Sequence, residues 1–454
     1  MSLIATSEGS LYELMCRGKK DSYFYEDGPL SVNVFDTSYT QQEQVVREIR
    51  RIPPTTGTDF GKMIEFPIDI VGDVVDSMTL VINLPAWFPP TVQRTFNTTQ
   101  ISDLAGATYG YVNGIAYFLF EKIYLYQDNT VLQEFSGDYL WATSQIKGTY
   151  ADSLIVDEET GTHDGSVASI GANAMPGTLR LRLPCIGCGQ RDKGFPLVAT
   201  TSHMYKLRCK IRKVEDLVET SDMTQGKPVP WDAQMQVISA TGTTPFTSLA
   251  RTSLAPLKVQ LETQHIFLNN VSKEALRSTP TEIPFTAVYE NVFTQTANEN
   301  ASVGINRRID ACHPSDRLMW FFRTLDDIRA NRLWKLTSFS NIGLVIAGRT
   351  REANWQPSIW RDVTNFAKEE IDSQMEIYTM NWGIGYTSPQ KYQALCPPWA
   401  ARQADGSINF TTADRPTLYM SLNGGPATEL RAIVDSWGSF LTDGKGRAEV
   451  LSFN

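Results

Sequence analysis

The sequence carries one C-x-x-C, Cys185-Ile186-Gly187-Cys188, with His203 and Cys209 downstream. A structural zinc needs four ligands in tetrahedral reach, usually from two such knuckles. One knuckle leaves the set short, and Cys209 alternates with basic residues as a small buried side chain on a strand would. These cysteines read as free thiols. The histidines, His163, His203, His265 and His313, form no H-E-x-x-H or H-x-H arrangement, and no G-x-S-x-G nucleophile elbow occurs. Gly57-Thr58-Asp59-Phe60-Gly61-Lys62 resembles a phosphate loop but is one residue short of it and lacks the hydroxyl residue after Lys62. A strand pattern follows it, so no helix N-terminus would face a phosphate. The carboxylate pairs Asp326-Asp327 and Glu369-Glu370 lie in polar segments and read as solvated. No catalytic, cofactor-binding or metal-ligating residue is assigned, and no cofactor is expected.

Two segments combine charge with strand alternation. Leu179-Arg180-Leu181-Arg182-Leu183 and Lys206-Leu207-Arg208-Cys209-Lys210-Ile211-Arg212 each set a basic face against an apolar one. Such a face either meets an anionic partner or lies in solvent against acidic cross-strand neighbours. The second reading is preferred for Lys206, Arg208, Lys210 and Arg212. Sequons at Asn97, Asn270, Asn300 and Asn409 would be used only in a secretory lumen. The N-terminal residues have no charged segment leading into an apolar core, so a secretory signal is not expected. Six cysteines are few for 454 residues and fit a reducing compartment.

The elements that would position these groups are mostly strands. Met63–Val71 alternates as a half-buried strand, with Pro67 placing it at an edge. Ser77–Pro85 suits a strand buried on both faces. Tyr117–Tyr126, Asp128-Asn129 and the following TVLQEF read as a hairpin. In the second half, LKVQLETQHIFL, EIPFTAVYENVFT, DRLMWFFRTL, SQMEIYTMNWG, TLYMSLN and AEVLSFN repeat the strand texture. Short helices are expected only at Asp326–Lys335 and Asp362–Ile371. Residues 150–177 and the 270–306 region read as long loops. No stretch approaches about 18 uninterrupted apolar residues, so no membrane-spanning helix is expected. The net charge of −9 argues against a surface devoted as a whole to nucleic acid.

The expected fold is all-β: two tandem eight-stranded jelly-roll sandwiches with long surface loops and few short helices. The expected organisation is an N-terminal arm over 1–24, a first jelly roll over 25–214, a linker and entry segment over 215–250 and a second jelly roll over 251–454. The polar run after Val214, with Pro228 and Pro230, sets that boundary. No clear internal repeat is visible.

Several segments in order resemble the double-jelly-roll major capsid proteins of nucleocytoplasmic large DNA viruses, such as iridoviruses and phycodnaviruses. Gly18-Lys19-Lys20-Asp21-Ser22-Tyr23-Phe24, Val34-Phe35, Tyr39-Thr40, Phe60-Gly61-Lys62, Gly72-Asp73-Val74 and Leu80-Val81-Ile82-Asn83-Leu84-Pro85 follow the family's opening run. Leu183-Pro184 through Gly194-Phe195-Pro196-Leu197-Val198 resembles the end of its first jelly roll, with the C-x-x-C where an aromatic-rich piece is usual. Pro397-Pro398 and Asp405-Gly406-Ser407-Ile408-Asn409-Phe410, and the close Gly444–Phe453, resemble its C-terminal elements.

The resemblance implies a structural, non-enzymatic protein. Such a chain would trimerise into pseudo-hexagonal capsomers and build an icosahedral shell, assembled in the host cell cytoplasm and found in the virion. Its partners would be itself, neighbouring capsomers, minor capsid and penton proteins and the inner membrane face, without direct nucleic-acid contact. Trp399 and Trp437 would be candidates for subunit contacts. Two other readings stay open on sequence: a carbohydrate-binding β-sandwich surface or fibre protein, which would expose aromatics on one sheet face, and a β-sandwich glycoside hydrolase, which needs two carboxylates about 5–9.5 Å apart.

Overall fold

The computed structural model describes residues 45–85, 109–147, 157–163, 176–188, 194–220, 256–302, 304–361, 376–382, 406–413 and 415–451, with short pieces at 170, 238–239 and 242–243. The expected N-terminal arm, the helix at Asp362–Ile371, Trp399 and the Pro397–Asp405 segment lie outside these residues.

The first half supplies β1 (Val46–Ile52), β2 (Met63–Ile68), β3 (Val74–Asn83), β4 (Tyr109–Tyr111), β5 (Phe120–Gln127), β6 (Thr130–Ser136), β7 (Thr178–Leu183), β8 (Tyr205–Ile211) and β9 (Val218–Thr220). A minor ladder, β10 (Ile238–Ser239) with β11 (Gly242–Thr243), precedes β12 (Lys258–Phe267). Two antiparallel four-stranded sheets form, in the orders β1-β12-β3-β7 and β2-β8-β5-β6, while β4 pairs with β9 apart from them. Alternation does the local work: in β8 the residues Tyr205, Leu207, Cys209 and Ile211 are buried and the intervening basic ones are not. The β5–β6 hairpin turns on Asp128, which takes a positive φ of 52°. Its carboxylate accepts from the Met204 amide at 2.9 Å and meets His203 Nδ1 at 2.7 Å, tying the turn to the entry of β8.

The second half supplies β13 (Thr281–Gln295), β14 (Ile305–Arg308), β15 (Pro314–Thr324), β16 (Asn341–Ile346), β17 (Arg349–Trp355), β18 (Ile377–Asn381), β19 (Ile408–Asn409), β20 (Thr417–Ser421), β21 (Thr428–Thr442) and β22 (Ala448–Leu451). Its main sheets run β13-β21-β15-β18 and β14-β20-β16-β17, with β19 and β22 added to β15 and β21.

Number the eight principal strands of each half in chain order, leaving out the short β4, β9, β10, β11, β19 and β22. Both halves then show one sheet ordered first-eighth-third-sixth and another ordered second-seventh-fourth-fifth. The chain is the same jelly roll built twice. This corrects the expected division at 215–250. Lys258–Phe267, assigned to the second roll on sequence, pairs with β1 along its whole length and with β3 as the eighth strand of the first roll. The polar composition after Val214 falls in sequence between the seventh and eighth strands of the first roll. The 270–306 region is also not a loop. It holds the helix Asn270–Ser278, capped by the Asn269 side chain, and the fifteen-residue β13.

The sheet β13-β21-β15-β18 is covered on both faces, which explains why β15 reads as a continuous apolar run rather than an alternating one. Leu318, Trp320 and Phe322 enter the core of the second roll, where Trp320 meets Trp360 edge-on at 5.1 Å between ring centroids. Met319 and Phe321, pointing the other way, join the core of the first roll, where Trp141 meets Phe321 edge-on at 6.0 Å. Truncating either aromatic leaves a cavity that rigid sheets cannot close. Trp320→Ala and Phe321→Ala should each lower stability by about 3–5 kcal/mol in chemical denaturation, with Phe321→Ala also loosening the contact between the rolls, read as faster proteolysis of the intact chain.

Candidate assembly surfaces and the buried junction

The junction between the rolls is built around Asp138. It lies in the first turn of the helix Gly137–Lys147, which follows β6 directly. Gly137 is required there, because a Cβ would run into the carbonyl oxygens of Tyr117 and Phe120. Asp138 is fully buried. Its Oδ1 accepts from Arg323 Nη1 at 2.5 Å, and its Oδ2 lies 2.8 Å from Arg212 Nη2 and 2.9 Å from Arg431 Nη1. Arg212 follows β8 in the first roll, whereas Arg323 and Arg431 come from β15 and β21 of the second.

Three guanidiniums around one carboxylate would leave an excess of positive charge. Glu290 and Glu429 remove it, binding Arg431 at 2.5 and 2.7 Å. The six side chains are therefore balanced. Arg323 is 1% exposed and lies against the rings of Phe321, Phe118 and Trp141, with its guanidinium carbon 4.8, 5.5 and 5.5 Å from their centroids. Aromatic faces favour a desolvated cation. Burial alone would push the Asp138 carboxyl up, but Arg431, Arg323 and Arg212 outweigh it and hold it well below the usual carboxylate range. Burial lowers the Arg323 guanidinium despite its partner Asp138. For Arg431, Asp138, Glu290 and Glu429 overcome the effect of burial and raise its pKa.

A second buried pair lies on the same face of this sheet. Arg317 Nε donates to Asp435 Oδ2 at 2.9 Å, beside a Ser315–Ser436 hydroxyl contact of 2.6 Å. Elsewhere between the halves, Glu219 of β9 accepts from Trp334 Nε1 at 3.0 Å and lies 3.1 Å from His163 Nε2.

The residues singled out on sequence are scattered. Cys185, Cys188 and Cys209 are buried and free; burial pushes the Cys185 thiol up to about 12 and raises the other two well above their ordinary value. His203 is engaged with Asp128, and His265 is buried against Thr263 Oγ1. Among the described residues no three of His, Cys, Asp and Glu gather as a metal site requires. Gly61 and Lys62 form the turn into β2, where the Gly61 amide donates to the Arg212 carbonyl and the Ile211 amide, at the end of β8, donates to the Lys62 carbonyl. Thr324 caps the short helix Leu325–Arg329, its hydroxyl accepting from the Asp327 amide at 3.1 Å, and Asp326 beside it is 79% exposed. Glu369-Glu370 lies outside the described residues.

The basic face of β8 meets an acid at every base, Glu65 being shared by two of them. Arg208 and Lys206 meet Glu65 at 2.5 and 4.0 Å, Lys210 meets Glu121 at 2.8 Å, and Arg212 meets Asp138. It is a paired sheet surface, as preferred on sequence. Of the sequons, Asn300 is fully buried and donates to the Pro426 carbonyl at 2.5 Å, so its nitrogen is closed to modification. Asn97 lies outside the described residues.

On sequence no role is assigned to Asp138, Arg323 or Arg431, and of the three only Arg323 falls in a segment read as a strand, DRLMWFFRTL. The available signal was the placement of charges inside runs otherwise apolar, such as DRLMWFFRTL, where an unpaired arginine would be costly.

With this geometry in hand, comparison with known proteins becomes informative. No protein-family model matches the sequence, and no curated protein is similar to it in sequence. Solved structures do match over nearly the whole chain. The capsid of the virus PBCV-1 is similar at a TM-score of 0.65 and 14% identity, covering 93% of this chain and 100% of that one. The major capsid protein of Faustovirus is similar at 0.64 and 11%, covering 94% of each. A chain from the Sputnik virophage is similar at 0.58 and 10%, covering 94% of this chain and 92% of that one.

The fold is that of the double-jelly-roll major capsid proteins. In this chain the double jelly roll is complete, with both sets of eight strands present and the junction between them closed by charge.

Two outcomes follow. Asp138→Asn leaves three arginines facing a neutral amide and should cost about 3–5 kcal/mol in chemical denaturation. In the unmodified chain the folded-state pKa of Asp138 is depressed. Its contribution should therefore be complete above about pH 5 and drain away as pH falls below about 4, so an acid-melting series should show a steeper loss for wild type than for Asp138→Asn. Separately, site-resolved alkylation of the native protein should label the exposed Cys312 and spare Cys185, Cys188 and Cys209 until the fold is opened.

Proposed function

We propose that this chain is the structural subunit of an icosahedral virus shell, a major capsid protein of a large DNA virus, with no enzymatic activity. The observation that carries this reading is the duplicated jelly roll with its buried junction. Two sandwiches fixed to one another by Asp138, Arg323 and Arg431 behave as one rigid block, and a rigid block with two similar lobes suits a lattice. Three copies would bring six sandwiches into a pseudo-hexagonal capsomer. The boundary between the lobes falls after β12.

The remaining elements of the reading follow from that role. Partners would be neighbouring capsomers, minor capsid and penton proteins, and the inner membrane face at the base of the block. The chain would assemble in the host cytoplasm and reside in the virion, without touching the genome. Contacts between capsomers recur many times, so each can be weak, whereas the contact within a capsomer must be larger and more apolar. Trp437, half-buried on β21, is a candidate for such a contact. A carbohydrate-binding surface would favour exposed aromatics on one sheet. Among the described residues the exposed large apolar side chains are valine, isoleucine and methionine.

Light scattering after size exclusion tests the reading. A stable species near three times 50.8 kDa is the expected result. A folded monomer that stays monomeric as concentration rises would contradict it.

A further inference from the structure

The two basic strands noted on sequence have different fates. Each base of β8 meets an acid, whereas the face that carries β7 also holds bases that meet none among the described residues. The outward face of the sheet β1-β12-β3-β7 carries Arg47 and Arg51 from β1, Lys258 from β12, and Arg180 and Arg182 from β7. The pairing register puts β1, β12, β3 and β7 side by side in that order, and the burial alternation turns these five residues away from the core.

Against the five bases stand few acids. Glu262, 12% exposed, is shared by Arg51 at 2.9 Å and Arg180 at 3.2 Å. Glu159 reaches Arg182 at 3.4 Å from a neighbouring segment. Arg47 and Lys258 are exposed and meet no acid among the described residues. Counting the half-buried Asp76 at the irregular start of β3 as a third acid, the five bases exceed the three acids by two among the described residues. Ile49, between Arg47 and Arg51 on the same side of β1, is 63% exposed. Among the described residues β1 is also an edge strand, paired with β12 alone, and such an edge with an exposed apolar residue invites a neighbour.

The chain as a whole carries −9. A face with an excess of bases therefore means that the rest of the molecule is more acidic still. We propose that this sheet face is a contact surface for a second copy of the chain, received through that copy's acidic exterior. The inference rests on the capsid reading and gives it a specific surface. Complementary potentials of this kind set orientation and encounter rate more than they set final affinity, which suits a subunit that must find one arrangement among many copies.

The test uses the full-length chain in analytical ultracentrifugation at about 50 and about 500 mM NaCl, which shortens the screening length severalfold. Arg47→Glu with Lys258→Glu reverses two exposed charges and breaks no internal ion pair. Arg180→Gln with Arg182→Gln is the second variant, and circular dichroism and melting check that both fold. Wild type should associate about tenfold more weakly at the higher salt, and both variants should be weakened by a similar factor at low salt with a flatter salt dependence. Wild type that assembles, with folded variants that assemble equally well at both salts, would overturn this inference and leave the capsid reading intact. Wild type that stays monomeric under all conditions would overturn both. Binding of wild type to phosphatidylcholine–phosphatidylserine vesicles, lost in variants that still self-associate normally, would assign the face to a membrane and overturn the inference.

Discussion

One buried carboxylate sets how the two halves of this protein meet. Asp138 cannot remain ionised inside the fold without cations, and the cations come from both rolls: Arg212 from the first, Arg323 and Arg431 from the second. If the rolls separated, Arg323 would keep its place on a strand covered by aromatic rings while losing its one hydrogen-bonded anion. Ion pairs of this kind add little net stability over a well-packed apolar junction, but breaking them is expensive. Their effect here is on geometry. The junction has one arrangement in which the charges balance, so the angle between the rolls is specified rather than merely permitted.

The apolar packing agrees with that specification. The sheet β13-β21-β15-β18 feeds two cores at once, with Trp320 on one side and Phe321 on the other. A sheet used this way has no solvent face through its centre, and its charged residues must find partners inside. That constraint accounts for both buried pairs, Arg317 with Asp435 and Arg323 with Asp138. The strand order is a separate constraint shared by both rolls: in each, the eighth strand inserts between the first and the third.

Much of this was legible in the sequence. The alternation in β2, β7 and β8 gave their faces correctly, and the all-β class followed from strands of this texture repeated along the whole chain. The boundary between the rolls was not legible. Composition changes after Val214, but the roll closes only with Lys258–Phe267, and strand pairing across so long a connection leaves no local signature. The duplication was equally hidden, because topology is set by which strands pair and not by which residues fill them. Asp138 illustrates the same limit at a single residue: its neighbours in sequence are those of an ordinary helix start, and its three arginines lie 74, 185 and 293 positions away. The surface charges divide along similar lines. Lys206, Arg208, Lys210 and Arg212 meet acids, as preferred on sequence, whereas Arg180 and Arg182, of the same alternating texture, belong to a face with bases to spare.

The most direct test of the account is to image the purified chain as single particles. A rigid two-lobed block that trimerises should give hexagonal outlines of uniform size, with six sandwich-shaped densities arranged in three repeating pairs and a constant angle within each pair. Isolated two-lobed particles, or pairs whose lobes take many relative orientations, would contradict both the capsomer and the locked junction on which it depends.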